Sequence, residues 1–248
     1  MDAAEATAVV TSIFIYPIKS CRGISVSVAP LSSTGFRWDR EWLVVNSKGR
    51  AYTQRVEPKL ALVEVELPIQ AFAEGWEPTK TSYLVSETRA VDPNYACGYK
   101  IMFSDQYPFL LLSQGSLDAL NKILKEPISV NRFRPNILVD GCEPFSEDLW
   151  KEIKINKFTF HGVKLCSRCK VPTINQENAV AGSEPTETLM KFRSDKVLRP
   201  TKKQQGKVYF GQNLVCKDSL TEEKRKIIEV GDPVYVLHEI SSCVDAAA

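Results

Sequence analysis

Val9-Val10-Thr11-Ser12-Ile13-Phe14-Ile15-Tyr16 is an apolar, β-branched run stopped by Pro17, the pattern of a buried strand with a turn behind it. Working outward, Ile24, Val26 and Val28 alternate with Ser25 and Ser27 at the period of a half-buried strand. Residues 42–46 and 50–54 flank Ser47-Lys48-Gly49, where glycine supplies the positive φ of a hairpin turn. Val63, Val65 and Leu67 alternate with Glu64 and Glu66 and predict another strand. No helix is predicted in this first third, so it reads as β-rich. From Pro68 to about Val91, Pro68, Gly75, Pro78 and thin apolar content predict loop. We place a junction there, between domains at 8–85 and 91–238.

The remainder mixes helices and strands. Ser116 is the expected cap of a helix whose face is Leu117, Leu120, Ile123 and Leu124, stopped by Pro127. Residues 137–139 form a short apolar strand. Ser146 ahead of Glu147 and Asp148 predicts a helix start with acids in its first turn. Phe158 and Phe160 alternate with Thr159 and His161 in a strand leading towards the closest cysteine pair. Residues 184–193 predict a helix with Pro185 at its start. Residues 207–215 and 226–237 read as closing strands, the latter bent at Gly231-Asp232-Pro233.

Composition narrows the function classes. Apolar and charged fractions of 44% and 25% are those of an ordinary soluble protein, and a net charge of +2 leaves no global footprint for nucleic acid. Basic residues cluster locally, at Arg132/Arg134, residues 164–170 and Lys202/Lys203. No apolar run approaches membrane-spanning length. Seven scattered cysteines without a signal peptide predict a reducing, intracellular compartment rather than a disulfide framework.

Leu165-Cys166-Ser167-Arg168-Cys169-Lys170 holds the one close cysteine pair, set among cations that favour thiolates. A structural zinc site needs four ligands; His161, Cys166 and Cys169 supply three at most. A thioredoxin-like dithiol should precede an amphipathic helix, whereas Val171-Pro172-Thr173-Ile174 is extended in character. A deaminase would place His-x-Glu ahead of the pair, and none is there. Two packed, inert thiols remain a reading, as does one thiolate on a soft metal carried by an anionic cofactor. The last requires cations elsewhere. Lys19-Ser20 ends the first strand, Asp39-Arg40 precedes an apolar run, and Arg132-Phe133-Arg134-Pro135-Asn136 precedes a core strand. Singly each reads as a surface pair or turn; together they suggest a converging anion pocket.

These stretches also carry a resemblance. Ile15-Tyr16-Pro17-Ile18-Lys19-Ser20-Cys21, Asp39-Arg40-Glu41-Trp42-Leu43, Phe133-Arg134-Pro135-Asn136-Ile137, Cys166-Ser167-Arg168-Cys169 and Phe210-Gly211-Gln212 occur in that order. From residue 9 to 237 the chain resembles plant MOSC-domain proteins similar to the mitochondrial amidoxime reducing component. The resemblance implies an α+β, β-rich fold: a β-rich N-terminal domain, shortened here, then a MOSC β-barrel domain with short helices. It implies a molybdenum cofactor between them, with Cys169 as metal ligand and catalytic residue. Lys19, Ser20, Arg40, Arg134, Asn136 and Arg168 would hold the pterin and its phosphate. Asp105 would lie near the metal and relay protons, which needs a pKa matched to working pH.

The implied activity is reduction of N-hydroxylated compounds (amidoximes, hydroxylamines), with electrons from NADH through a flavoprotein reductase and a b-type cytochrome. Mitochondrial association follows by analogy. One departure falls between Trp76 and Val91, where several dozen family residues have no counterpart. A cofactor- or sulfur-carrier-binding module without turnover, or an inactive shortened product, are the alternatives.

Overall fold

The computed structural model describes residues 5–73, 76, 88–221 and 226–246. The opening run forms β1 (Ala8–Ile15), followed by β2 (Ile24–Val26), β3 (Val28–Ser32) and β4 (Gly35–Phe36). After a long irregular stretch come β5 (Arg89–Ala90), α1 (Pro93–Ala96), β6 (Lys100–Ile101), β7 (Phe109–Ser113), α2 (Gln114–Asn121) and β8 (Ile137–Asp140). Next are β9 (Trp150–Ile155), β10 (Phe158–Ser167), α3 (Thr186–Phe192) and α4 (Asp195–Leu198). β11 (Tyr209–Cys216), β12 (Ile227–Glu229) and β13 (Pro233–Glu239) close the order.

Seven of these strands close a barrel in the order β13-β9-β10-β11-β7-β8-β1, with β1 pairing back to β13 and β2 appended to β1. The first strand is therefore a stave of a barrel built mainly from the second half of the chain. Side chains alternate between two cores, which is why residues 109–112 of β7 and 137–139 of β8 read as apolar runs. Leu111, Val139, Ile153, Phe160 and Leu214 fill the barrel. Their neighbours Leu112, Leu138 and Phe210 pack outside it against Leu117 and Leu120 of α2 and Leu189 of α3. β7 and β8 are parallel, so the chain must cross between them, and α2 lies in that crossover.

Several local expectations are corrected. The alternation through residues 24–28 changes phase at Ser27: Val28 turns outward and Ala29 is buried. The 47–49 turn forms with Gly49 at φ +73°, but only the Val45–Ala51 bridge pairs beside it. Residues 63–67 are not a strand. Pro58–Leu62 makes a 3₁₀ turn ahead of them, and Val63 O accepts a bond from Arg22 N with no ladder beyond it. Alternation sets a face, but a strand also needs a partner for its backbone. Ile69–Phe72 adds another 3₁₀ turn, and residues 77–87 of the expected junction lie outside the described residues.

The cap of α2 is Ser113, whose Oγ accepts from Ser116 N at 3.1 Å. Ser146 opens only a 3₁₀ turn, Ser146–Asp148, whose two acids are buried rather than facing solvent at a helix end. Val171–Thr173 is likewise a 3₁₀ turn, not extended.

Candidate functional site

Tyr16, one residue beyond β1, is where the site begins. Its ring is 2% exposed, and its hydroxyl donates to Pro135 O at 3.0 Å. Gly23 is required beside it, since a Cβ there would meet Tyr16 Cε1 at 2.3 Å. Two guanidiniums lie over the ring, Arg40 at 4.5 Å and Arg134 at 4.2 Å from its centroid. A tyrosine face attracts cations, and here it lets two of them approach each other. Burial pushes the Tyr16 phenol up to about 12, against the pull of Arg134 and Arg40. It stays neutral.

The cations are held differently. Arg40 Nη1 donates to Asp39 Oδ2 at 2.5 Å and to Asn136 Oδ1 at 3.2 Å, and Nη2 donates to Arg134 O at 3.2 Å. Burial works against the Arg40 charge, but Asp39 and Tyr16 outweigh it and raise its pKa. Arg134 has no such carboxylate: burial pulls it down to about 10, and its Nη2 is buried without a hydrogen-bond partner. Arg168 donates to Cys166 Sγ at 3.0 Å and Phe133 O at 2.7 Å, while its Nε is also buried and unpartnered. Ser20, Arg40 and Arg134 all adopt left-handed backbone, at φ 70°, 53° and 55°. Non-glycine residues persist there only when their surroundings over-determine them.

Ser20, Arg40, Arg134 and Arg168, with Lys19, Asp105, Asn136, Cys166 and Cys169, line one cavity of about 540 Å³. All eight residues singled out from the sequence reach it. Asn136 does so as a brace: its Oδ1 also accepts from Leu110 N, and its Nδ2 donates to Phe14 O at 3.3 Å. Cys169 is exposed at the cavity just beyond β10, and Cys166 is half-buried. Arg55, Lys207 and Asn213 also line the wall, as the sequence reading did not foresee. No local motif marks them, and only tertiary structure brings them in.

Asp105 forms an ion pair with Lys19 Nζ, which also donates to Phe103 O at 2.7 Å. Burial lowers the Lys19 pKa, partly offset by Asp105. Burial would raise Asp105, yet Lys19, Arg55 and Arg40 together carry it below the ordinary carboxylate value. That is the opposite of what a proton donor near neutrality needs. For zinc, no group of three or more His, Cys, Asp or Glu is placed to hold a metal among the described residues.

The chemistry of the donor set points to an anion. Six cations surround the cavity against Asp105, and two buried N–H groups lack acceptors. An unmade hydrogen bond of this kind costs about 1–3 kcal/mol, more beside a charge. Phosphate oxygens would satisfy both, so the residues present fit a phosphorylated cofactor.

Comparison with known proteins places the chain among relatives. Residues 98–235 match the MOSC domain and residues 7–93 the MOSC N-terminal beta barrel domain. The chain is 31% identical over 290 residues to mitochondrial amidoxime-reducing component 1 of Homo sapiens, covering 92% of this chain and 82% of that protein. The Mus musculus protein of the same name is 29% identical over 285 residues, with the same coverage. Molybdenum cofactor sulfurase of Oryza sativa subsp. japonica is 28% identical over 296 residues, 90% of this chain but 35% of that protein.

Proposed function

Because this chain belongs to the MOSC family, we propose that it is a molybdenum-cofactor-dependent oxidoreductase that reduces N-hydroxylated compounds such as amidoximes and hydroxylamines. The observation carrying the proposal is the pair of unpartnered guanidinium N–H groups, on Arg134 and Arg168, in the cavity that Cys169 borders. When bound, the cofactor supplies the two-electron redox chemistry.

The chain's own residues bind and orient. Lys19, Ser20, Arg40, Arg134 and Arg168 would hold the phosphate and pterin, with Asn136 bracing Arg40. Cys169 would provide the thiolate ligand. In the Lys19–Asp105 pair the transferable proton resides on Lys19 Nζ, and Asp105 holds that ammonium in place. Electrons would come from NADH through a flavoprotein reductase and a b-type cytochrome, by analogy with the amidoxime-reducing relatives. A mitochondrial association rests on the same names. No helix among the described residues is long and apolar enough to cross a membrane.

The alignment with the human relative spans 290 residues although this chain has 248. That supports the reading that relatives carry residues absent here, which we place between Trp76 and Val91. A second reading, a cofactor-binding module without turnover, is favoured by the similarity to the rice sulfurase.

Molybdenum content and NADH-coupled amidoxime reduction, with cytochrome and reductase supplied, test the proposal. We expect near-stoichiometric molybdenum and turnover in the native chain. Cys169→Ala should lose both, while Cys166→Ala keeps much of each. Molybdenum without turnover would move the assignment to the binding module; equal loss from both cysteine variants would refute the single-ligand site.

A further inference from the structure

Gln54 and Gln176 lie 122 residues apart and form a buried reciprocal amide pair. Gln54 Nε2 donates to Gln176 Oε1 and Gln176 Nε2 donates to Gln54 Oε1, each at 3.0 Å. Each amide has a second bond. Gln54 Nε2 also donates to Ser20 O at 2.8 Å, and Gln176 Nε2 donates to Ile174 O at 3.0 Å. Both side chains are thus committed to each other and to two backbone carbonyls. Neither lines the cavity.

One carbonyl belongs to a residue that lines the cavity, Ser20, and the other to Ile174, three residues past the lining residue Val171. Ser20 sits beside Lys19 in left-handed backbone. Ile174 lies on the segment that runs on from Cys169 through the Val171–Thr173 turn. The same join is reinforced by Arg22 Nη2, which donates to Gln176 O at 3.2 Å. Gln54 lies within the region matched by the N-terminal domain, and Gln176 within the MOSC domain. Buried amides with all bonds made specify one geometry, because a shifted partner leaves desolvated polar atoms behind.

We propose that Gln54 and Gln176 are positioning residues: a latch that fixes the Lys19-Ser20 loop relative to the Cys169 segment, so that both can engage one cofactor. The latch rests on the proposed function for its consequence, but not for its mechanical effect. Loss of Gln54 should therefore loosen residues 170–176 as well as residues 18–22, although the first segment is remote in sequence.

The test uses the full chain with Gln54→Leu, Gln176→Leu and the double variant. Hydrogen exchange of the cofactor-free protein should accelerate about tenfold or more in both segments for either single variant. In a host that makes the molybdenum cofactor, each single variant should retain less than about a tenth of wild-type molybdenum. The double variant leaves no orphaned amide, so its melting temperature should recover towards wild type. Its molybdenum should stay low, because Ser20 O is no longer tethered. Retention that recovers together with stability would make the pair merely structural and overturn the latch. Exchange confined to the substituted segment would overturn it too. If wild type itself holds no molybdenum, the proposed function falls, and the exchange pattern alone decides the latch.

Discussion

Replacing Arg134 with methionine should stabilise the cofactor-free protein while abolishing cofactor retention. Arg134 is half-buried, has no ion pair among the described residues, and leaves a fully buried Nη2 unpartnered. A pKa pulled down to about 10, from an ordinary value of about 12.5, corresponds to about 3 kcal/mol disfavouring the charge. Solvent reaching the cavity mouth screens part of this, leaving about 2 kcal/mol. Methionine would forfeit the contact with the Tyr16 ring, worth about 1 kcal/mol, but keeps an apolar stem in the space. The net gain is about 1 kcal/mol, or about 3 °C in melting temperature for a chain of this size. Thermal and urea unfolding of Arg134→Met from a host without the cofactor pathway measures it, and metal analysis from a cofactor-producing host measures retention. A destabilised cofactor-free variant, or one retaining a molybdenum per chain, would refute the reasoning.

Three further outcomes follow from other parts of the fold. Glu147 is buried with its carboxyl accepting from Ser113 N, Ser113 Oγ and Ser116 Oγ; burial, with Asp148 adjacent, raises its pKa. The folded state then keeps a proton that the unfolded chain has released, so stability falls as pH climbs from about 4.3 towards neutrality. Glu147→Gln should flatten that descent in melts taken across the range, and an unchanged slope counts against it. Gly162→Ala should cost about 3 kcal/mol in urea unfolding, the upper end for overpacking. Its Cβ would meet Trp150 O at 1.9 Å, so a near-neutral result would contradict the packing. Asp105→Asn removes the charge that partly restores the Lys19 pKa. Cofactor retention titrated against pH should then fail at lower pH than in wild type, and an identical midpoint would show that Lys19 does not govern it.

Where covalent neighbours carried the information, the sequence was readable. β1 followed from eight residues ending at a proline, and Arg134 and Asn136 from their place before β8. What could not be read depended on partners far along the chain. Residues 63–67 have the period of a strand but no edge to pair with. Glu147 and Asp148 look like exposed helix-start acids until Ser113, Ser116 and Arg193 close over them. Tyr16 looks like the last residue of a strand; only folding lays Arg40 and Arg134 over its ring. Asp105 was expected near the metal, but its low pKa follows from Lys19, 86 residues away.

The barrel's closure has a consequence for biosynthesis. β1 is made before the rest of the barrel, yet its barrel neighbours are β8 and β13, the latter reaching residue 239. That strand must therefore wait, with Ile13 and Ile15 uncovered, until β13 has been made. Such long-range pairing slows folding and leaves apolar strand exposed to chaperones or to aggregation. Tyr16 directly follows that same strand, so the two arginines acquire their shared ring only once the barrel shuts. On the proposed function, cofactor loading would follow synthesis, and a pulse of newly released chains should be empty before it is active.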